Sequence, residues 1–104
     1  MIARFWSARA TPAGARAYAG HLRSHVLPAV KQVDGYAGAV LLEREVSAAV
    51  EILVITWWRS LDAIRRFAGP DPEEAVVADA AAALLTTFDR RVRHYELVVK
   101  DEAR

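Results

Sequence analysis

Two residues near the C-terminus have the chemistry and the spacing to move a proton. His94 and Glu96 are two apart, so in an extended chain both point to one face. An imidazole titrates near neutrality, which makes His94 a candidate general base, or a group that orients a phenolic hydroxyl. The competing reading is a core histidine satisfied by a carbonyl or carboxylate. Near the other end, Arg4 and Trp6 are also two apart. An arginine on a central strand is costly unless it is paired or faces a polar cavity. Arg4 is therefore a candidate for holding an anionic substrate oxygen, and a salt bridge to Glu96 across the sheet would equally explain it. Trp6, Trp58, Tyr36 and Phe88 could wall a pocket for a flat aromatic ligand, with Glu96 as a polar contact. In a small chain the same aromatics serve as core and interface. His21 and His25, four apart on one helix face, have the spacing of a metal pair. No acid accompanies them in that segment and no third ligand is evident. A solvated helix face explains them better, and no metal site is expected.

The elements that must position these groups are organised by Glu51-Ile52-Leu53-Val54-Ile55-Thr56-Trp57-Trp58. This run is β-branched and aromatic, too short for a membrane span, and reads as a strand buried on both faces. Leu53, Ile55 and Trp57 face one way; Ile52, Val54, Thr56 and Trp58 face the other. Each large side chain is worth about 1.5–3 kcal/mol when buried, so both faces need a cover.

Residues 2–7 form a first strand with Arg4 and Trp6 on one face. Thr11-Pro12 is a helix start, cap then first-turn proline, for a helix over 12–27 with a ragged end at Pro28. A turn at Val33-Asp34-Gly35 precedes a strand over 36–44, with Gly38 allowing a bulge. A polar connection at 45–49 joins it to the strand over 50–58 as an antiparallel hairpin with a loop of moderate length. Ser60 caps a helix over 61–67, and Gly69-Pro70-Asp71-Pro72 breaks it. Residues 75–87 are alanine-rich and read as a further helix, broken near its start. Asp71, Glu73 and Glu74 read as its acidic entrance. A last strand covers 90–99, and 100–104 is a charged, frayed tail.

Strand–helix–strand–strand–helix–strand is the split βαβ order, which places the first and third strands side by side in the centre. The predicted fold class is α+β: a ferredoxin-like, four-stranded antiparallel sheet, in one domain over 1–104. Helices can cover one face only. The other face needs a second sheet, and another copy of the same face supplies one, so a two-fold homodimer is expected.

Composition narrows the function. The chain has 104 residues, 54% hydrophobic, with a net charge of +1, which argues against a nucleic-acid footprint. There is no cysteine, so thiolate chemistry is excluded. No apolar stretch approaches the roughly 20 residues of a membrane helix, and the first residues lack a signal-peptide layout. A cytoplasmic protein is the expectation. Dinucleotide, phosphate-loop, zinc-protease and serine-nucleophile signatures are absent from the sequence.

Several segments together resemble the antibiotic biosynthesis monooxygenase-like proteins of the dimeric α/β-barrel superfamily. They are Thr11-Pro12, Gly35-Tyr36-Ala37-Gly38, Leu41-Leu42-Glu43-Arg44, Trp58-Arg59-Ser60-Leu61-Asp62-Ala63-Ile64, Phe67-Ala68-Gly69 and Phe88 to Glu96. The resemblance implies two sheets packed as a barrel across a dimer. Characterised members oxygenate phenolic or quinol-like substrates with O₂ and no metal or organic cofactor; others degrade haem. Related sequences carry proline and a basic residue where this chain has Ala78-Asp79-Ala80-Ala81. The implied function is cofactor-independent monooxygenation of a small aromatic or quinonoid molecule, with His94 taking a phenolic proton and Arg4 holding the anion. Two alternatives share the fold: a non-catalytic ligand-binding or stress-response dimer, and a haem-binding or haem-degrading protein.

Overall fold

The computed structural model describes residues 1–103. Strand β1 (Ile2–Ala10) leads into helix α1 (Pro12–His21), a π-helical turn (Leu22–Val26) and helix α2 (Leu27–Val30). Strands β2 (Tyr36–Val46) and β3 (Ala49–Trp58) follow as a hairpin, then α3 (Leu61–Ala68), the short α4 (Asp79–Ala82), β4 (Thr87–Phe88) and β5 (Arg93–Glu96). The sheet order is β2-β3-β1-β4, with β5 also on β1, and all pairings are antiparallel. β4 and β5 are two pieces of one last strand along β1. This is the predicted ferredoxin-like α+β topology, with β1 and β3 in the centre.

Local chemistry accounts for most boundaries. The Thr11 hydroxyl accepts from Gly14 N–H at 3.0 Å, and the Ser60 hydroxyl accepts from Ala63 N–H at 3.1 Å, so both helix caps stand where expected. Pro28 does not end the first helix. The preceding π turn closes with Leu27 N–H donating to Leu22 C=O, and Pro28 enters in the first turn of α2, where a missing donor is tolerated. The chain thereby stays helical to Val30, which is almost fully buried. Gly38 makes the predicted bulge: the register shifts between Tyr36 and Gly38, and Gly38 has φ +144°.

Three expectations need correction. The β2–β3 connection is a two-residue turn at Ser47 and Ala48, with Ser47 at φ +57°, because both strands extend further than their apolar runs. The alanine-rich helix over 75–87 shrinks to α4. Residues 71–75 are irregular and pair instead with 90–92: Ala75 N–H donates to Arg90 C=O and Val92 N–H to Glu73 C=O. Asp71 and Glu73 bind Arg91, at 2.9 and 3.5 Å, rather than opening a helix. The last strand predicted over 90–99 shrinks to β5 at Arg93–Glu96, and β4 at Thr87–Phe88 begins the edge earlier than expected, with a break between them. At the break, Trp6 Nε1–H donates to Asp89 C=O, and Asp89 takes the Ser7 hydroxyl. From the predicted tail, Lys100 pairs with Glu102 at 3.0 Å, and Arg104 lies outside the described residues.

The core lies between the helices and one sheet face. Trp6, Ala8 and Ala10 of β1 and Val50, Ile52 and Val54 of β3 pack against Ala15, Tyr18 and Leu22. A second cluster seats Trp58 among Val30, Ala63 and Ile64. The opposite face carries Phe5, Val40, Leu42, Leu53, Ile55, Trp57 and Tyr95 in register. No element among the described residues covers it: Leu42 and Tyr95 are each 49% exposed. No helix among them is long and apolar enough to cross a membrane.

Candidate functional site

Arg4 is the buried polar residue of the helix-side face, 4% exposed although it sits on a central strand. Its guanidinium donates to Pro72 C=O and, at 2.7 Å, to Glu74 C=O. It also lies 5.6 Å from the Phe67 ring centroid, within cation–π range. No carboxylate reaches it among the described residues, so two carbonyl dipoles and a ring face stand in for a counter-ion. Desolvation lowers its pKa to about 10, which leaves it charged at neutral pH. The expected bridge to Glu96 does not form: Glu96 is opposite Ile2, at the exposed end of β5.

His94 is directly opposite Arg4 across the β1–β5 ladder, and its Nε2 lies 3.1 Å from the guanidinium. A guanidinium only donates, so Nε2 accepts and the neutral tautomer carries its proton on Nδ1. Burial, then the Arg4 charge, push the His94 pKa below 6.5, against a smaller upward pull from Glu73.

Between the sheet, the α1–π-turn segment and residues 76–78 lies a narrow cavity of ≈ 70 Å³. Trp6, Val54 and Phe67 give it apolar walls, with Leu22 and Val26 from the π turn and Leu27 from the start of α2. Polar groups reach it from both sides, Arg4 and Thr56 from the sheet and Tyr18 and His21 from the helix. Thr56 Oγ1 already accepts from Trp58 Nε1–H at 2.8 Å. Burial raises the Tyr18 hydroxyl to about 12, so it stays protonated and available as a donor.

Of the residues singled out from sequence, the cavity gathers Arg4, Trp6 and His21, the last considered there only as half of a metal pair. His94 stands behind Arg4 and is not part of the lining. Trp58 is fully buried, stacked on Phe67 at 5.4 Å and edge-on to Tyr36 at 5.5 Å, so both serve the second core cluster. Phe88 packs on Trp6 at 6.4 Å with Arg90 over its ring. Tyr18, His21, Thr56 and Phe67 were not singled out as lining. One signal was available: Tyr18 and His21 are three apart, so a helix that buries Tyr18 brings His21 to the edge of the same face. His21 and His25 have ring centroids 5.3 Å apart. No cluster of three potential metal ligands occurs among the described residues.

No family model matches this sequence, and no curated protein matches it. Solved structures do. MhuD, a haem-degrader from Mycobacterium tuberculosis with two haems in its active site, is 24% identical over 98% of this chain and 100% of its own, at a TM-score of 0.61. A mutant of MhuD, with two manganese protoporphyrin IX molecules per active site, has a TM-score of 0.63 at 24% identity, covering 99% of this chain and 100% of that one. The ActVA-Orf6 monooxygenase of Streptomyces coelicolor, in complex with nanaomycin D, is 15% identical over 99% of this chain and 90% of its own, with a TM-score of 0.64. The chain has the ferredoxin-like α+β fold common to these monooxygenase-type proteins.

Proposed function

We propose that this single-domain chain is a cytoplasmic, homodimeric, cofactor-independent monooxygenase acting on a small aromatic or quinonoid molecule. The observation that carries the proposal is the cavity, where aromatic and aliphatic walls converge with Arg4, Tyr18, Thr56 and His21. Support for the chemistry comes from the fold shared with a monooxygenase that binds nanaomycin D. In the reaction, a phenol loses its O–H proton and the electron-rich phenolate reacts with O₂. One oxygen atom becomes a new carbonyl on the ring. The other leaves as water, carrying the phenolic hydrogen and the displaced ring hydrogen. Arg4, charged and dry, stabilises the anion, because a charge contact strengthens where water is excluded. His94 acts through Arg4 by accepting from its guanidinium.

Ligand cavities usually hold about 300–1,000 Å³. The cavity of ≈ 70 Å³ is smaller than that, so admitting a ring system requires its wall at residues 76–78 to shift. The homodimer reading is supported by the uncovered apolar face of the sheet. Oxygen uptake with a panel of hydroquinones and naphthols tests the activity. Turnover in metal-free, cofactor-free buffer is expected with at least one of them, and a protein that binds them without oxygen uptake is the non-catalytic alternative. A haem-binding reading draws on the likeness to MhuD and on His21, the one histidine of three at the cavity. A Soret shift on haem titration that His21→Gln abolishes would favour it instead.

A further inference from the structure

A phenol bound in this cavity needs a proton acceptor, and the residues around it narrow the choice. Arg4 has no acceptor atom and keeps its charge. Tyr18 holds its proton far above neutrality. Thr56 Oγ1 is occupied by the Trp58 indole. His94 lies outside the lining, and its Nε2 already faces the Arg4 guanidinium. Asp71 and Glu73 are taken up by Arg91, away from the cavity.

His21 remains. It ends α1 just before the π turn, lines the cavity from the helix side, and is half-buried. Neither of its ring nitrogens has a protein hydrogen-bond partner among the described residues. Its neighbours are two rings, Tyr18 at 6.4 Å on the cavity side and His25 at 5.3 Å on the solvent side. An imidazole with a free ring nitrogen has the lone pair a phenolic proton needs.

We infer that His21 is the catalytic proton acceptor for the bound phenol, an assignment that rests on the aromatic-ligand reading of the cavity. The phenolic O–H bond breaks, the proton forms an N–H bond on the His21 imidazole, and the electron pair stays on oxygen. The resulting phenolate lies between two cations, the His21 imidazolium on the helix side and Arg4 on the sheet. Tyr18, one helical turn before His21, donates its hydroxyl to the ligand and fixes which oxygen meets the imidazole.

The test uses the full chain and two chromophoric probes. 4-Nitrophenol reports ionisation by its phenolate absorbance, and 4-nitroanisole has the same shape without an acidic proton. With the wild-type protein, at a pH where free 4-nitrophenol is mostly neutral, the bound probe is expected to show the phenolate band. His21→Gln should lose that band and bind 4-nitrophenol about tenfold more weakly, while 4-nitroanisole affinity stays within about twofold. His94→Gln should keep the band. A phenolate band that survives in His21→Gln overturns the inference, as does equal weakening of both probes, which would make His21 a packing residue. Wild-type protein that binds 4-nitroanisole but leaves 4-nitrophenol neutral also overturns it, with the ligand site intact. Wild-type protein that binds neither probe overturns the aromatic-ligand reading itself.

Discussion

Arg4 is held where its removal must be felt. Its guanidinium bonds two carbonyls of the segment that closes the cavity and accepts no partner charge. Arg4→Met keeps the stem and removes the donors, leaving the carbonyls of Pro72 and Glu74 short of partners. A loss of about 1.5–3 kcal/mol is expected in urea denaturation, with faster amide exchange confined to residues 71–76. Unchanged exchange there would mean that Arg91 and the 73–92 backbone bonds hold the segment without Arg4. His94 makes a second prediction, through pH. Its folded pKa lies below the ordinary 6.5, so the unfolded chain binds the extra proton. The associated stability is fully present above pH 6.5 and is lost as pH falls from there through the folded pKa. Wild-type Tm should drop as pH falls below 6.5, and His94→Gln should flatten that drop, since glutamine accepts from Arg4 without titrating. An identical pH profile in the variant would dissociate His94 from the effect.

At the scale of elements, caps and one glycine set the frame. Thr11→Ala and Ser60→Ala each remove a hydroxyl that accepts a first-turn N–H, at an expected cost of about 1 kcal/mol by chemical denaturation. Gly35→Ala should cost more than either. Gly35 has φ +95°, and a Cβ there would lie 2.4 Å from the Ala63 Cβ, so backbone strain and a clash with α3 coincide. Thermal melts that rank Gly35→Ala as milder than Ser60→Ala would contradict the close approach of the turn to α3. The π turn also shapes the cavity. It puts Leu22 and Val26 on the cavity wall, and by carrying the helix past Pro28 it adds Val30 to that wall.

At the scale of the whole molecule, the sheet divides the protein into a finished side and an unfinished one. The helix side is packed around Trp58, Ile52 and Ile64, each fully buried. The other side presents Val40 at 44% and Leu42 at 49% exposure beside Leu53, Ile55 and Trp57. A contiguous apolar face of this kind supports the proposed homodimer. Light scattering or sedimentation at micromolar concentration should give twice the chain mass. Leu53→Lys, on the open face, should dissociate the proposed dimer and leave the fold recognisable by circular dichroism. A wild-type monomer at that concentration would remove the two-sheet argument.

Periodicity and caps were enough to read the strand order, the two helix starts, the Gly38 bulge and the two faces of β3. The faces rest on side-chain alternation, the helix starts on hydrogen bonds between residues close in sequence, the bulge on a glycine, and the strand order on the sequence of elements those signals define. The segment from 69 to 96 was not legible in the same way. Alanine favours helix, yet at the two ends of the predicted helix Ala75 N–H donates to Arg90 C=O and Thr86 N–H to Arg9 C=O, while Arg4 binds the carbonyls of Pro72 and Glu74 across 68 and 70 positions. Those contacts outweigh a propensity of tenths of a kcal/mol per residue. The same holds for the cavity. Arg4 and Trp6 were recognisable because a charged and an aromatic residue share one face of a central strand. His21 entered, and His94 was drawn away, through the packing of α1 on the sheet and the pairing of β5 with β1. Both are contacts between residues distant in sequence, so only the tertiary structure decided which histidine meets the cavity.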